Sequence, residues 1–402
     1  MSLMKCTAAG DCMILRRLPD PYPGFREMTE FIRQGDVRFV NMETTIHNYE
    51  TYGAAQSGGT WLCSPPEALE DTKAMGFNVL TSCNNHALDY DRIGFARTLH
   101  YIQKAGFPNP GVGNSMAEAA APVYIDTPGG RYAILAACST FNPGDMAGHQ
   151  TQELPGRPGI NGFRDMGRRE GYLPPIPQDR AEFGELMFQA SDTPGKITTV
   201  NPVDMARIEN SIREARQNAD YVVVSMHSHE MKGSDKAEPD DFFVDFCHKC
   251  IDAGAHAVIG TGPHLLRPLE IYKNCPIFYC LGDFVLQIED IRMAPADMYE
   301  KQKMDPKCGI QALFNARNAG GTRGLCYDKV MHEAIIPYWE AEDGKLTKLV
   351  LMPIELNFGS GKVLSGFPRP KYDDGILERL AKMSAPYGTK LEIRDGLGYV
   401  EV

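Results

Sequence analysis

Five apolar runs along this chain stop abruptly at an acid, an amide or a histidine, and helix-like segments separate them. "KCTAAGD" stops at Asp11, "VRFVNME" at Glu43, "FNVLTSCNNH" at Asn85-His86, "DYVVVSMHSHE" at His227 and His229, and "AHAVIGTGPH" at His264. Short buried runs of this kind read as strands, and the intervening segments carry helix signals. "SPPEALEDTKAMG" opens on Ser-Pro-Pro and ends at Gly76, and "YDRIGFARTLHYIQKAG" ends at Gly106. Strands alternating with helices predict an α/β fold. Three pairs of runs read as hairpins instead, so the sheets are expected to mix parallel and antiparallel pairing. They are "APVYIDTPGGRYAILAACS", "PLEIYKNCPIFYCLGDFV" around Lys273-Asn274, and the pair flanking Glu342-Asp343-Gly344.

The rest of the chain is less regular. Residues 143–200 are rich in Pro, Gly and charge and read as a long loop, interrupted by a helical "DRAEFGELMFQA". Residues 288–325 read as a second irregular stretch, and the tail as a helix plus a small hairpin. Nothing resembles a linker, so residues 1–402 are expected to form one domain.

Composition bounds the partners. A net charge of −11 argues against nucleic acid or an anionic membrane as a general partner. No run of about 20 apolar residues predicts a membrane span, and the first residues lack the shape of a signal peptide. The expectation is a cytoplasmic protein. Eleven cysteines, an odd number lying mostly in apolar runs, suit a reducing compartment. "CHKC" at 247–250 sits inside a helical segment, without a second pair to complete a zinc site, and reads as ordinary helix.

The polar strand ends carry the chemistry. Residues at the carboxyl ends of neighbouring strands converge in space even when distant in sequence. Carboxylates, imidazoles and an amide together suit borderline divalent ions such as Mn, Zn, Fe or Co, whereas calcium would call for more oxygen ligands. Each residue alone has a plainer reading as a turn or a cap; their joint appearance points to a metal centre. Candidate ligands are Asp11, Glu43, Asn85, His227, His229 and His264.

Several segments resemble the bacterial capsule-synthesis family associated with poly-γ-glutamate, within the calcineurin-like metallophosphatase superfamily. They are "AAGDCMI", "VNMETTI", "SCNNHALDY", "GVGNSMAEA", "RPGING", "VVVSMHSHE", the long stretch 254–285 and "LERLAKMSAPYGT". The resemblance implies a metallophosphatase-like four-layer sandwich, two mixed β-sheets flanked by helices, with one or two divalent metal ions above strand ends. It implies metal roles for Asp11, Glu43, Asn85, His227 and His264, with Glu43 in a bridging place. It also implies that His86 handles the leaving group or transition state. Asp89 would orient His86. Three departures stand out: Met13 replaces a superfamily histidine, Gly262 stands where many family members have a histidine, and His229 is extra and offers a replacement ligand.

Arg157, Arg164 and Arg267 lie in or beside these motifs and are candidate clamps for an anionic substrate. The expected activity is metal-dependent hydrolysis of a phosphoester or of a γ-glutamyl or peptide amide, polyglutamate included. A metal-dependent peptide epimerase and a non-catalytic capsule or polyglutamate binding protein are the alternatives.

Overall fold

The computed structural model describes residues 3–19, 21–164, 180–183, 186–189 and 198–402. Alternation of apolar side chains along the strands explains its layering. In the strand Tyr221–His227, Tyr221 and Val223 join one apolar cluster while Val222, Val224 and Met226 join another. In Val37–Met42, Val37 and Phe39 share the first cluster, and Val40 and Met42 face a third. Successive strand side chains point to opposite faces, so each of these strands is covered on both sides, which is why they read as continuous apolar runs.

The strands form two large mixed sheets. The nine-stranded sheet runs Leu391–Arg394, Leu397–Val400, Lys345–Glu355, Glu333–Glu342, Leu3–Met13, Val37–Met42, Val79–Thr81, with Asp283–Leu286 beside the end of Leu3–Met13 and Arg369–Pro370 beside Lys345–Glu355. The six-stranded sheet runs Leu269–Tyr272, Cys275–Phe278, Ala257–Thr261, Tyr221–His227, Gly130–Cys138, Val123–Thr127. Both contribute to one shared apolar cluster, containing Phe39, Trp339, Ile134 and Val223. Helices Phe25–Ile32, Ala68–Ala74 and Asp91–Ala105 supply residues to the cluster on the far face of the first sheet. Helices Pro202–Asn218 and Asp241–Ala253 do the same for the second. Phe242, Phe243 and Phe246 of the latter helix are wholly buried, and emptying one such site, as in Phe246→Ala, costs about 3–5 kcal/mol.

Four expectations need correction. Three further two-stranded sheets accompany the two large ones among the described residues. "DRAEFGELMFQA" is not a helix: Arg180–Phe183 and Leu186–Gln189 are antiparallel strands, and Asp179, Gly184, Glu185 and Ala190 lie outside the described residues. The Lys273-Asn274 hairpin ends at Phe278, and Asp283–Leu286 leaves it for the other sheet, parallel to Leu3–Met13. Within 288–325, helices Ala296–Lys301 and Ile310–Arg317 replace part of the irregular stretch, while much of 143–200 lies outside the described residues. Cys247 and Cys250 are buried, unbridged members of the helix core, as an ordinary-helix reading requires. No helix among the described residues is long and apolar enough to cross a membrane.

Candidate metal centre

Register brings the acids together. Asp11 stands opposite Asn41 on one neighbouring parallel strand and Asp283 on the other, and Glu43 follows two residues after Asn41. Gly10 permits the close approach on the Asp283 side, because a Cβ there would lie 1.7 Å from the Gly282 carbonyl oxygen. In the second sheet His227 is in register with Thr261, so the chain beyond Thr261 carries Gly262 and His264 past the same edge. The Gly262 N–H donates to Asp11 Oδ2 at 2.8 Å, tying the two strand ends.

A histidine at Gly262 would be strained on this backbone. Its φ is +121°, and a Cβ would meet the Ser228 backbone at 3.0 Å. His264 itself sits at φ +63°, in the left-handed region that a non-glycine residue occupies at a cost. That turn aims its ring inward: Nδ1 lies 2.9 Å from Asp283 Oδ1, 3.8 Å from Glu43 Oε2 and 3.9 Å from Asp11 Oδ2.

Around Glu43 the imidazoles converge. His227 Nε2 is 3.6 Å from Glu43 Oε1, and both His229 Nε2 and His86 Nε2 are 3.9 Å from it. His227 Nε2 also lies 3.0 Å from His229 Nε2 and 2.8 Å from Asn85 Oδ1. Two ring nitrogens and an amide oxygen at such distances share a single focus. Glu43 is fully buried, yet neither of its carboxylate oxygens has a hydrogen-bond partner among the described residues, and Asp283 Oδ2 is in the same state. A buried carboxylate without donors is strongly unfavourable unless a cation compensates it. Two groups have the geometry for an ion, Glu43 with His229 and His264, and Asp11 with His264 and Asp283. The donor chemistry fits a divalent transition metal.

Without a cation the charges conflict. Burial, reinforced by Asp11 and Asp283, pushes the Glu43 carboxyl well up, and burial raises Asp11 to about 6. Burial drives His227 and His229 well below the usual imidazole range, each also opposed by neighbouring rings. Neutral imidazoles are the ligand form. Burial works to lower His264, but the adjacent Asp283 carboxylate outweighs it and raises the group.

His86 belongs to a separate network. Its Nδ1–H donates to Asp89 Oδ2 at 2.6 Å, and Asp89 also accepts from the Gly58 and Leu62 N–H groups at 2.9 and 2.8 Å. The proton is thereby kept on Nδ1, and Nε2 faces Glu43.

The three candidate arginines each have partners within the fold. Arg157 donates to the Met146 carbonyl on the surface. Arg164 forms a two-pronged pair with the buried Asp204, at 2.8 and 3.0 Å. Arg267 is buried and donates to the Lys236 and Glu230 carbonyls at 2.9 and 2.8 Å, bracing the turn that carries His229. The sequence reading missed Asp283, Asn41 and Asn84. Asn41 donates to Asp11 Oδ1 at 2.6 Å, and Asn84 donates to Asn41 Oδ1 and the Met42 carbonyl. Asp283 opens a strand instead of ending one, so a search of strand ends passes over it. The Gly-Asp pair within "YCLGDFV" was the available signal.

Fold and site define a class: an α/β enzyme that works with one or two divalent metal ions held at converging strand ends. The chain belongs to the family of bacterial capsule synthesis proteins PGA_cap, which it matches over residues 5–287. It is 34% identical to the uncharacterized protein y4sH of Sinorhizobium fredii, over 98% of this chain and 92% of that one. It is 28% identical to the PGA biosynthesis protein CapA of Bacillus subtilis, over 65% of this chain and 56% of that one. It is 26% identical to the capsule biosynthesis protein CapA of Bacillus anthracis, over 65% and 53%.

Proposed function

We propose that this chain is a metal-dependent hydrolase that cleaves a phosphoester, or a γ-glutamyl or peptide amide, in an anionic substrate of the capsule and poly-γ-glutamate pathway. The observation that carries the reading is Glu43, a buried carboxylate with both oxygens unpartnered among the described residues and His86, His227, His229 and His264 around it. Glu43, His227, His229, His264 and Asn85 would hold one ion, and Asp11 and Asp283 a second. His264 belongs to both groups and would serve one ion at a time, and Glu43, with both oxygens free, could serve either. When bound, a divalent cation supplies Lewis acidity and lowers the pKa of water.

The chain's own groups do the rest. Asp89 holds the His86 proton at Nδ1, leaving Nε2 to exchange a proton with the leaving group. The acids lie at the floor, wholly buried, while the His229 side chain is 28% exposed, so substrate approaches across His229. The same reading takes residues 1–402 as one domain and the two large sheets as the middle of a four-layer sandwich, supported by the apolar cluster they share.

The test is a screen of phosphate esters, γ-glutamyl amides and short peptides with added Mn²⁺ or Zn²⁺ in deuterated water, read by mass spectrometry. The expected result is metal-dependent bond cleavage. Deuterium uptake at an α-carbon without cleavage would make the protein an epimerase, and tight binding without turnover a binding protein; either outcome sinks the hydrolase.

A further inference from the structure

His229 differs from the other three rings around Glu43 in how it is held. His86 is oriented through Nδ1 by Asp89, His264 through Nδ1 by Asp283, and His227 Nδ1 lies 3.0 Å from the Thr261 hydroxyl. His229 Nδ1 has no hydrogen-bond partner among the described residues; its Nε2 lies 3.0 Å from His227 Nε2. A metal-binding histidine is ordinarily aimed by a hydrogen bond at its second nitrogen. Here the aim of the ring has to come from the turn that carries it.

Ser228, His229 and Glu230 make that turn, and one side chain ties it down. A single oxygen of Glu230, Oε2, accepts from three hydroxyls: Ser139 at 2.7 Å, Thr140 at 2.8 Å and Ser228 at 2.9 Å. Hydroxyls donating to a carboxylate make strong hydrogen bonds. The Thr140 hydroxyl also accepts from the His229 N–H at 2.9 Å, so it links the carboxylate directly to the His229 backbone. Ser139 and Thr140 follow the strand Gly130–Cys138, and the Ser139 N–H donates to the His227 carbonyl at 3.0 Å. The other side of the turn is fixed as well. The Ser228 N–H donates to the Thr261 carbonyl at 2.9 Å, and Arg267 donates to the Glu230 carbonyl at 2.8 Å. Gly262 makes room for the turn, since a Cβ there would lie 3.0 Å from Ser228 backbone atoms.

We infer that Glu230 is a positioning residue of the metal centre: through the Thr140 hydroxyl it sets His229 as a ligand, on a turn for which Gly262 leaves the space. This rests on the reading of His229, with Glu43, as a ligand of a divalent ion. Glu230 is not itself a ligand. It belongs to neither group with the geometry for an ion, and the donors on its Oε2 are hydroxyls of its own turn and of the neighbouring strand end. The arrangement keeps a third imidazole at the centre although position 262 supplies none.

The experiment titrates the full chain, freed of metal by chelation, with Co²⁺ and follows the visible absorption of the bound ion. Glu230→Ala is expected to weaken Co²⁺ binding about 10- to 100-fold, the range for removing a partner that orients a ligand. Glu230→Gln keeps an oxygen that accepts from hydroxyls, and should bind Co²⁺ nearer to wild type than to Glu230→Ala. Thr140→Val removes the link to the His229 N–H and should shift affinity in the same direction as Glu230→Ala. The deciding measurement is a cycle with His229→Ala. In that background Glu230→Ala should change Co²⁺ affinity by less than about twofold, because it acts only through the ring already removed. Thermal melting establishes which variants are folded, and if Glu230→Ala is not, the cycle is run with Thr140→Val. An equal loss in both backgrounds, or an unchanged affinity in Glu230→Ala or Thr140→Val, would overturn the inference. A loss in Glu230→Gln as large as in Glu230→Ala would overturn it too, by assigning the effect to charge. A wild-type chain that takes up no Co²⁺ would reject the metal centre and the inference together. Coupled Co²⁺ binding without bond cleavage of any substrate would uphold the role of Glu230 and reject the hydrolase.

Discussion

The two large sheets bring different chemistry to the same place. The nine-stranded sheet and the turns leaving it supply the carboxylates Asp11, Glu43 and Asp283 and the amides Asn41, Asn84 and Asn85. The six-stranded sheet and the turns leaving it supply His227, His229 and His264. Three buried acids on one side would repel one another; on the other side desolvation keeps His227 and His229 from taking up protons, and only His264, beside Asp283, is favoured to do so. Direct hydrogen bonds resolve part of the conflict, through Gly262 to Asp11 and His264 to Asp283. The Glu43 carboxylate is left over. Neither sheet holds a complete ligand set, so a metal ion here also joins the two halves of the fold.

The sharpest way to break this comparison is to neutralise the leftover acid. Glu43→Gln is expected to lose bound metal, measured by elemental analysis, and to lower turnover by about three orders of magnitude or more, the scale of removing a group that stabilises the transition state. Circular dichroism should stay near wild type, because no hydrogen bond is lost. Retention of full metal content would refute the role given to Glu43. His86→Ala sharpens the contrast: turnover falls by about 10²–10⁴ while most metal stays, as expected of a proton-handling group. Loss of metal in that variant would move His86 into the ligand set.

Metal removal tests whether the ion joins the sheets. An ion that binds only the folded chain, at a hundred times its dissociation constant, adds about 2.7 kcal/mol. Chelation should therefore lower the midpoint of urea unfolding, and restoring Mn²⁺ or Zn²⁺ should recover it. An unchanged midpoint would mean that the sheets hold their ends in place unaided.

The smallest effect lies away from the centre, at a histidine that serves packing alone. His256 stacks on Tyr221 with ring centroids 4.6 Å apart, and its Nδ1 accepts from the Val222 N–H at 2.9 Å. Burial lowers it to about 4. The unfolded chain therefore takes up this proton first as pH falls below the ordinary imidazole value, and stability drops between about pH 6.5 and 4. His256→Asn keeps an acceptor without titrating. It should remove about 2 kcal/mol from the stability difference between pH 7 and 5, measured by urea unfolding. An identical pH dependence in both proteins would count against a buried, neutral His256.

Much of this was legible in the chain. Period-two alternation and capping signals located the strands and helices around the site, because those patterns answer to local backbone geometry and burial. Residue type then nominated Asp11, Glu43, Asn85, His227, His229 and His264. What was not legible depended on distant partners. "DRAEFGELMFQA" has acceptable helix propensity, yet Arg180–Phe183 and Leu186–Gln189 within it pair as strands. Arg157, Arg164 and Arg267 look alike as free cations in a sequence, but Met146, Asp204 and the turn at 228–236 determine what each one does. Asp283 gains its place only when its strand crosses to the other sheet and lies against Asp11. The sequence by itself determined which ligand types were present and that they stood at the edges of buried strands, because a polar side chain after an apolar run marks where burial ends. Only the tertiary structure decided which acid would be left without a partner, because that depends on the register between strands far apart in the chain and on the turn that swings His264 beneath it.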